Sequence, residues 1–328
     1  MKVPRSDSVD VLSVAYSLEG DDTEWLGRVL DVARAKMPRS QRAYALTYDA
    51  THPSGLQFET VVTRDFPKGR GRADIEFAHA SLAAADVEHA FGRTICATAS
   101  QVLGGHHAKK LRLDTFAPFG VRDSFGVNAI DPTGRGTMLV GLLDRERAAD
   151  LDAVHSWTRV AAHLAAARRV RLALRGPIEG DPARHPRVDA VLDGRGLVHH
   201  ATTEGDTARA ALVRAAKALE RVRGKTREVG DWKPLVDARW SLVDHFESDG
   251  KRFLVAVRND APLAGLYDMT LRERQAVGFA LLGHPNKVIG YELGIATSTV
   301  GVLLSRAMKK LGVKNRAALI AACTPRAA

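Results

Sequence analysis

The side chains with the clearest chemical task lie near the C-terminus, in a stretch whose apolar residues recur with helical spacing. A helix over about residues 298–310 would present five exposed positions on one side: Ser298, Val302, Ser305, Arg306 and Lys309. Hydroxyl, guanidinium and ammonium groups in such a row are donors that can bind phosphate oxygens and other acceptors. The pattern therefore indicates a surface for a polyanion.

The distribution of charge favours the same kind of partner. The chain of 328 residues has a formal net charge of +10, and nucleic acid is the commonest polyanion. From Leu266 onward there are nine Lys and Arg residues but only three Asp and Glu residues. Most of the positive excess therefore lies in the last fifth of the chain.

Other reactive residues have simpler explanations. The adjacent His106 and His107 cannot both face one metal site on a regular element, and Cys96 and Cys323 are too few for a thiolate zinc site or a disulfide framework. We predict that Cys96 is a buried small side chain in an apolar helix and not a redox sensor. We find no catalytic Ser/His/Asp set or phosphate-binding glycine loop. We therefore expect that the protein is not an enzyme, and the sequence identifies no cofactor.

Two linkers divide the chain into three segments. Residues 176–186 and 258–268 are rich in Pro, Gly and charge, which argues against a helix or a strand there. The segments that remain are 1–175, 187–258 and 266–328. We expect a cytoplasmic protein with no membrane contact, because the N-terminus lacks an apolar signal region and no stretch approaches the ~20 apolar residues of a membrane span.

Segment 1–175 mixes helical and strand patterns. We predict helices over 22–36, 75–103 and 149–174, and strands over 42–49, 56–63, 124–130 and 137–143. This order resembles a GAF-type sensor domain, an α/β fold with a central antiparallel sheet. The resemblance implies a signal-sensing domain, with a small molecule as a candidate ligand.

Segment 187–258 is shorter and less regular. We predict a hairpin over 189–199, a helix over 207–222 and strands over 240–246 and 252–257. Two interpretations remain open for this small α+β segment. It could be part of a PAS-like domain, or it could bridge the first segment to the third.

Segment 266–328 is predicted to be all-α, with four helices. Thr270 and Glu273 have the spacing of a capping box at the start of the first helix, which we expect to end at Gly283. The second helix covers about 286–293, the third about 298–310, and the fourth begins near Asn315. The third helix has an apolar stripe that must be buried, formed by Val300, Leu303, Leu304, Ala307 and Leu311.

This segment resembles the C-terminal helix-turn-helix of the LuxR family of bacterial transcription regulators. The matching positions are Thr270, Arg272, Glu273, Gly283, Asn286, Lys287, Ile289, Leu293, Gly294, Thr299, Val300, Lys310, Leu311, Gly312 and Arg316. The resemblance implies that the third helix enters the major groove of double-stranded DNA. On that basis we assign DNA contacts to Lys287, Thr297, Ser298, Thr299, Gly301, Val302, Ser305, Arg306 and Lys309. Lys310 would extend the phosphate-binding edge.

The chain departs from the family pattern at several positions of the third helix. Gly301 replaces a usual basic residue, Leu303 a common histidine and Ser305 another frequently basic one. Ala296 replaces the usual capping serine, so either Thr297 or Ser298 caps the helix or the helix loses ~1 kcal/mol of stability. Either Gly301 lets the helix backbone lie close to DNA, or this face no longer reads bases. The leading hypothesis is a sequence-specific regulator; the alternative is a protein-interaction adaptor, similar to region 4 of sigma factors.

The fourth helix carries the predicted dimer contact. Ala318, Leu319 and Ala322 suggest an exposed, self-complementary apolar stripe, as the family resemblance implies. A homodimer with two-fold symmetry would bind an inverted-repeat site. RNA polymerase is a further candidate partner of a regulator of this kind.

Overall fold

The computed structural model describes residues 8–38, 42–50, 56–80, 86, 90–91, 94–102, 115–131, 134–146, 148–174, 178, 180–225, 235–236, 240–246, 251–258 and 269–323. These residues form two compact units. The first ends at Arg168 and the second begins at Arg169. The division falls within one long helix.

The first unit is a five-stranded antiparallel sheet with helices. Its elements are α1 (Ser8–Ala15), α2 (Asp22–Arg34), β1 (Arg42–Asp49), β2 (Gln57–Arg64), α3 (Arg72–Ala80), β3 (Cys96–Thr98), α4 (Ala99–Val102), β4 (Asp123–Ile130), β5 (Arg135–Leu143) and α5 (Leu151–Leu174), which continues past the division. The strand order is β2-β1-β5-β4-β3. Strand β1 has the bounds that the sequence predicts, and it lies between β2 and β5.

Helix α2 begins where the sequence predicts. Asp21 caps it and Glu24 completes the capping box. Its apolar side, with Trp25 and Leu30 fully buried, packs against β1 and β2. The indole N–H of Trp25 donates to the carbonyl oxygen of Ala15 at 2.9 Å, which ties α1 to α2.

The predicted helix over 75–103 is wrong at residues 96–98. The described part of α3 is Arg72–Ala80, and residues 96–98 form the edge strand β3, where Cys96 is the partner of Val127 in β4. Hydrogen bonding to β4 outweighs the helical preference of an alanine-rich stretch, because tertiary contacts override propensity. Cys96 is half-buried in a strand, and burial raises the pKa of its thiol. The pair His106–His107 lies outside the described residues.

The second unit contains another five-stranded antiparallel sheet. It includes the rest of α5 and the elements β6 (Val188–Asp193), β7 (Val198–Ala201), α6 (Thr203–Thr207), α7 (Arg209–Lys225), β8 (Leu235–Val236), β9 (Trp240–Phe246) and β10 (Arg252–Arg258). The strand order is β7-β6-β10-β9-β8. With strands numbered one to five along the chain, both sheets have the order 2-1-5-4-3. All five strands of this second sheet therefore lie within segment 187–258.

The buried carboxylate of Asp189 in β6 joins three other positions of the second unit by hydrogen bonds. Asp189 is fully buried and accepts hydrogen bonds from the indole of Trp240 at 2.6 Å and from the hydroxyl of Thr202 at 3.0 Å. Arg258, at the end of β10, donates to both of its oxygens. Burial raises the pKa of Asp189, but these bonds outweigh burial and the pKa lies below its ordinary value.

Four helices follow in the second unit: α8 (Leu271–Leu281), α9 (Asn286–Leu293), α10 (Thr297–Lys310) and α11 (Arg316–Cys323). They share one apolar core, and the predicted stripe of α10 forms part of it, with Val300, Leu303, Leu304 and Ala307 buried. In the described part of the chain, no single helix is long and apolar enough to cross a membrane. Only α9 and α10 together meet that criterion, and they are bent by 103° at the break between them.

Candidate nucleic-acid interface

The start of α8 is fixed by the predicted capping box. The Oγ1 of Thr270 accepts from the N–H of Glu273 at 3.3 Å, and Glu273 Oε2 accepts from the N–H of Thr270 at 2.8 Å. The buried Glu273 also accepts from Lys310 Nζ at 2.6 Å. Burial raises the pKa of Glu273, but the bonds from Lys310 and Thr270 outweigh burial and lower it. Lys310 therefore joins the end of α10 to the start of α8.

The turn between α9 and α10 depends on two glycines. Gly294 ends α9 with a φ of +65°, a conformation that favours glycine. Gly290 is buried, and a Cβ built on it would lie 2.8 Å from the carbonyl oxygen of Ile295 and 3.4 Å from the nitrogen of Thr297. This close approach holds the turn against α9 and sets the direction in which α10 leaves it.

Of the two alternatives for the start of α10, the structure shows the helix without a side-chain cap. The helix begins at Thr297, with Ala296 at the N-cap, and no described side chain caps it. Neither Thr297 nor Ser298 takes that role, because both are already within the helix. The first amide groups of α10 therefore lack the side-chain acceptor that usually satisfies them. They are donors at the positive end of the helix dipole.

The outer face of α10 is solvent-exposed, as the sequence predicts. The exposed residues among those assigned to DNA contact are Thr297, Ser298, Thr299, Val302, Ser305, Arg306 and Lys309, with Lys287 exposed at the start of α9. Val302 is 49% exposed, which is unusual for an apolar side chain of this size. Leu303, at the position where the family often has histidine, is buried in the core instead.

Gly301 lies on this helix with open space beside it. Its exposure is intermediate, and a Cβ built on it has no described heavy atom within 4 Å outside its own helix. Nothing in the packing of the domain therefore requires glycine here. Glycine also costs about 1 kcal/mol relative to alanine in a helix interior.

The exposed charge of the domain is of one sign. Between Met269 and Cys323, a fully described range, the acidic residues are Glu273 and Glu292, and both are 2% exposed. Lys287, Arg306 and Lys309 form no ion pair with any described residue. Arg306 and Lys309 thus present unpaired charge to solvent on the same face of α10 as its hydroxyl groups, and Lys287 presents another at the start of α9.

Several polar residues of the family pattern hold the helices together. Arg316 donates to Asn286 Oδ1 at 2.8 Å and to the carbonyl oxygen of His284, which joins α11 to the start of α9. Lys310, predicted to extend the phosphate-binding edge, is paired with Glu273. Sequence reasoning missed these roles because the partners are far apart in the chain, and spacing alone gives no signal of such contacts.

His284 is a buried imidazole just before the start of α9. Its ring is 3% exposed and stacks on Phe279 with 5.7 Å between centroids, and neither ring nitrogen has a hydrogen-bond partner among the described residues. Burial, and secondarily the charge of Arg316, lowers the pKa of His284 to about 4. The folded state therefore favours neutral imidazole, while the unfolded chain binds a proton near pH 6.5.

We expect the four-helix domain to lose stability as the pH falls from 6.5 to 4. Because the folded pKa is the lower one, the contribution of His284 is fully present above pH 6.5, and roughly 3 kcal/mol is lost across this window. The measurement is hydrogen exchange of peptides from 271–323, compared at each pH between the wild type and His284→Phe. A constant difference between the two proteins across the window would show that His284 is not the titrating group.

The fourth helix departs from the dimer expectation at one position. Leu319 is fully buried in the core of its own domain, so it is not part of an exposed stripe. Ala318 is half-buried and Ala322 is exposed. Leu319 faces inward because α11 packs on α8 and α10, which the short alanine-rich pattern does not reveal.

One of the comparisons with known proteins identifies this domain. The family described as bacterial regulatory proteins, luxR family (GerE), matches residues 268–323. No curated protein gives a match. Two solved structures are similar along most of their length: SdiA from Escherichia coli, with 12% identity, coverage of 93% of this chain and 90% of that chain and a TM-score of 0.28, and SdiA in complex with octanoyl-rac-glycerol, with 10% identity, coverage of 97% and 93% and a TM-score of 0.31.

Scores this low carry no argument about the fold or the ligand of this chain. The family match at 268–323 does not depend on these two structures. The range that it covers contains the capping box, the turn glycines and the four helices described above. Residues 268–323 form a helix-turn-helix domain of the LuxR family.

Proposed function

We propose that the protein is a transcription regulator that binds double-stranded DNA sequence-specifically through α10. The observation that carries this proposal is the outer face of α10, where hydroxyl groups and unpaired cations lie together on a domain whose two acidic residues are buried. A rigid core holds α10 on its other side. A helix of this kind fits the major groove.

The residues divide by the contact that each can make. Arg306, Lys309 and Lys287 are exposed cations that would bind phosphate oxygens, together with the uncapped amide groups of Thr297, Ser298 and Thr299. Ser305 and Val302 lie on the outer face of α10 and would contact base edges, the hydroxyl by hydrogen bonding and the apolar side chain by contact with a thymine methyl group.

Genome-wide occupancy of the tagged protein tests the proposal and gives the operators at the same time. We expect discrete sites that share a sequence, and a loss of those sites when Arg306 and Lys309 are both replaced by Gln. Arg184→Gln/Arg209→Gln, which removes two charges from exposed positions outside the four-helix domain, serves as the folded control. Uniform or absent occupancy by the wild type would argue against sequence-specific binding.

A second candidate function is a protein-interaction adaptor. Gly301 and the exposed Val302 favour it, since a face with glycine and an apolar side chain at its centre suits a protein partner as well as DNA. The two functions differ in what a side chain at Gly301 would do. If the protein is a sequence-specific regulator, the DNA backbone or bases occupy the open space beside Gly301. If it is an adaptor, a partner protein occupies that space.

Gly301→Lys and Gly301→Ala separate these functions. If α10 lies close to DNA at Gly301, both variants lose preference for the operator over a scrambled duplex, by ~1–3 kcal/mol, even though Lys adds a positive charge. If the face does not read bases, Gly301→Lys gains affinity for every duplex alike through its charge. Fluorescence titration of the full chain against both duplexes distinguishes the two results.

We also propose that the region before residue 259 senses a signal through a GAF-like domain and a second, PAS-like domain. Two antiparallel sheets with helices and with one strand order support this proposal. A small-molecule ligand is the candidate signal. Native mass spectrometry of the protein purified from its own cells tests for it, and an unliganded mass throughout the preparation would count against a tightly held ligand.

Assembly on DNA is proposed to be a homodimer, with RNA polymerase as a further candidate partner. The exposed Ala322 and the half-buried Ala318 of α11 remain available for a contact between copies, whereas Leu319 does not. Analytical ultracentrifugation of the protein on its operator tests the stoichiometry. One copy on each operator would refute the dimer.

A further inference from the structure

A cationic groove lies in the second unit, outside the helix-turn-helix domain. It runs between helix α7 and the turn that joins β6 to β7, and its volume is about 530 Å³. Six residues line it: Gly194, Arg195, Arg214, Lys217, Glu220 and Arg221. Nothing in the proposed role of α10 uses these residues.

The packing of the turn against α7 shapes this groove. A Cβ on Gly194 would lie 3.0 Å from Cδ of Glu220. A Cβ on Gly196, where φ is +83°, would lie 2.8 Å from Cε of Lys217. Glycine at these two positions lets the turn rest directly on the helix, which brings Arg195 to the cations of α7.

The groove has a strong positive charge. Arg214, Lys217 and Arg221 have the spacing i, i+3, i+7 and share one exposed side of α7. Among the described residues that line the groove, Glu220 is the single acid, and its Oε2 accepts from Nη2 of Arg252 at 2.5 Å. Because Arg252 neutralises that carboxylate, no acidic residue that lines the groove balances the charge of its four cations.

The spacing of these cations matches a repeated anion better than one small ligand. Seven residues of helix place Arg214 and Arg221 about 10 Å apart along the axis, so the cations form a row along α7 and do not surround one point. Guanidinium groups bind phosphate oxygens in a bidentate manner. Small-molecule sites, in contrast, enclose their ligand, whereas the cations here are all exposed.

We propose that this groove binds the phosphate backbone of DNA beyond the base pairs that α10 reads. The proposal rests on the proposed function, because it assigns a second contact to the same DNA. The cations Arg195, Arg214, Lys217 and Arg221 bind phosphates without reading sequence. They add affinity and salt dependence, while α10 supplies the preference among sequences.

The test uses the full chain and two duplexes with the same central site, one short and one extended by about two helical turns on each side. The groove variant replaces Arg214, Lys217 and Arg221 by Gln. The matched control replaces Arg184, Arg209 and Lys251 by Gln, which removes the same charge from exposed positions outside the groove. The affinity of each protein for each duplex is measured by fluorescence anisotropy at several salt concentrations.

We expect the groove variant to bind the short duplex like the control. On the extended duplex, the slope of log affinity against log salt should fall by about 2 to 3 relative to the control, since each phosphate contact contributes about 0.9. Equal slopes for the two variants on the extended duplex would overturn the groove contact, while a loss of binding by Arg306→Gln/Lys309→Gln in the same experiment would keep the proposed function.

Two further outcomes would also overturn the proposal. If the wild type binds polyglutamate, the groove variant does not, and DNA binding is unchanged, the groove accepts an acidic protein chain. If the wild type binds neither duplex, the proposed function and the groove contact fail together.

Discussion

Replacing Leu319 by Glu should unfold the C-terminal domain and not merely separate a dimer. Leu319 is fully buried among the residues of α8 and α10. Loss of its apolar burial and the introduction of a carboxylate into that core should cost at least about 3 kcal/mol. Hydrogen exchange of peptides from 271–323 should therefore accelerate by about a hundredfold or more.

Ala322→Glu is the matched control for this change. It adds the same charge to the same helix at an exposed position, so exchange in 271–323 should remain close to that of the wild type. If Leu319→Glu leaves exchange unchanged and lowers only the affinity for DNA, then Leu319 lies at a contact between copies and its burial within one domain is wrong.

Gly290→Ala should have the second-largest effect. The new methyl group would lie 2.8 Å from the carbonyl oxygen of Ile295, and backbone has to move to admit it. We expect a loss of stability of about 1–3 kcal/mol and a change in the angle between α9 and α10. Binding of any duplex should weaken, because the cations of α9 and α10 would no longer match the phosphate positions.

Gly301→Ala is the matched control for Gly290→Ala, because it is the same substitution in the next helix. Its methyl group meets open space, so alanine should stabilise the domain by about 0.5–1 kcal/mol. Exchange in 271–323 is expected to become faster for Gly290→Ala and slower for Gly301→Ala. Equal behaviour of the two variants would contradict the close approach of the turn to α9.

Local sequence signals predicted the elements of the DNA-binding domain well. The capping box at Thr270 and the glycines at the ends of α8 and α9 are short-range features, and the structure confirms them. The strand-forming residues of Arg42–Asp49, with turn-forming residues after them, likewise predicted the bounds of β1. Features of this kind depend on residues only a few positions apart.

Contacts between distant residues were less predictable. The pairing of Lys310 with Glu273 and of Arg316 with Asn286 joins positions about thirty or more residues apart, so these side chains looked like surface charge in the sequence. The strand at Cys96 depends on its partner β4. Leu319 was misjudged for the same reason, because an alanine-rich helix of eight residues has no distinct polar side.

Whether α10 reads base sequence is decided by one titration. The full-length protein is titrated against its operator and against a scrambled duplex of equal length and composition, at several salt concentrations. We expect affinity for both duplexes to fall with salt, and affinity for the operator to exceed that for the scrambled duplex on the order of a thousandfold. Equal affinity for the two duplexes at every salt concentration would contradict the claim and leave the adaptor function in its place.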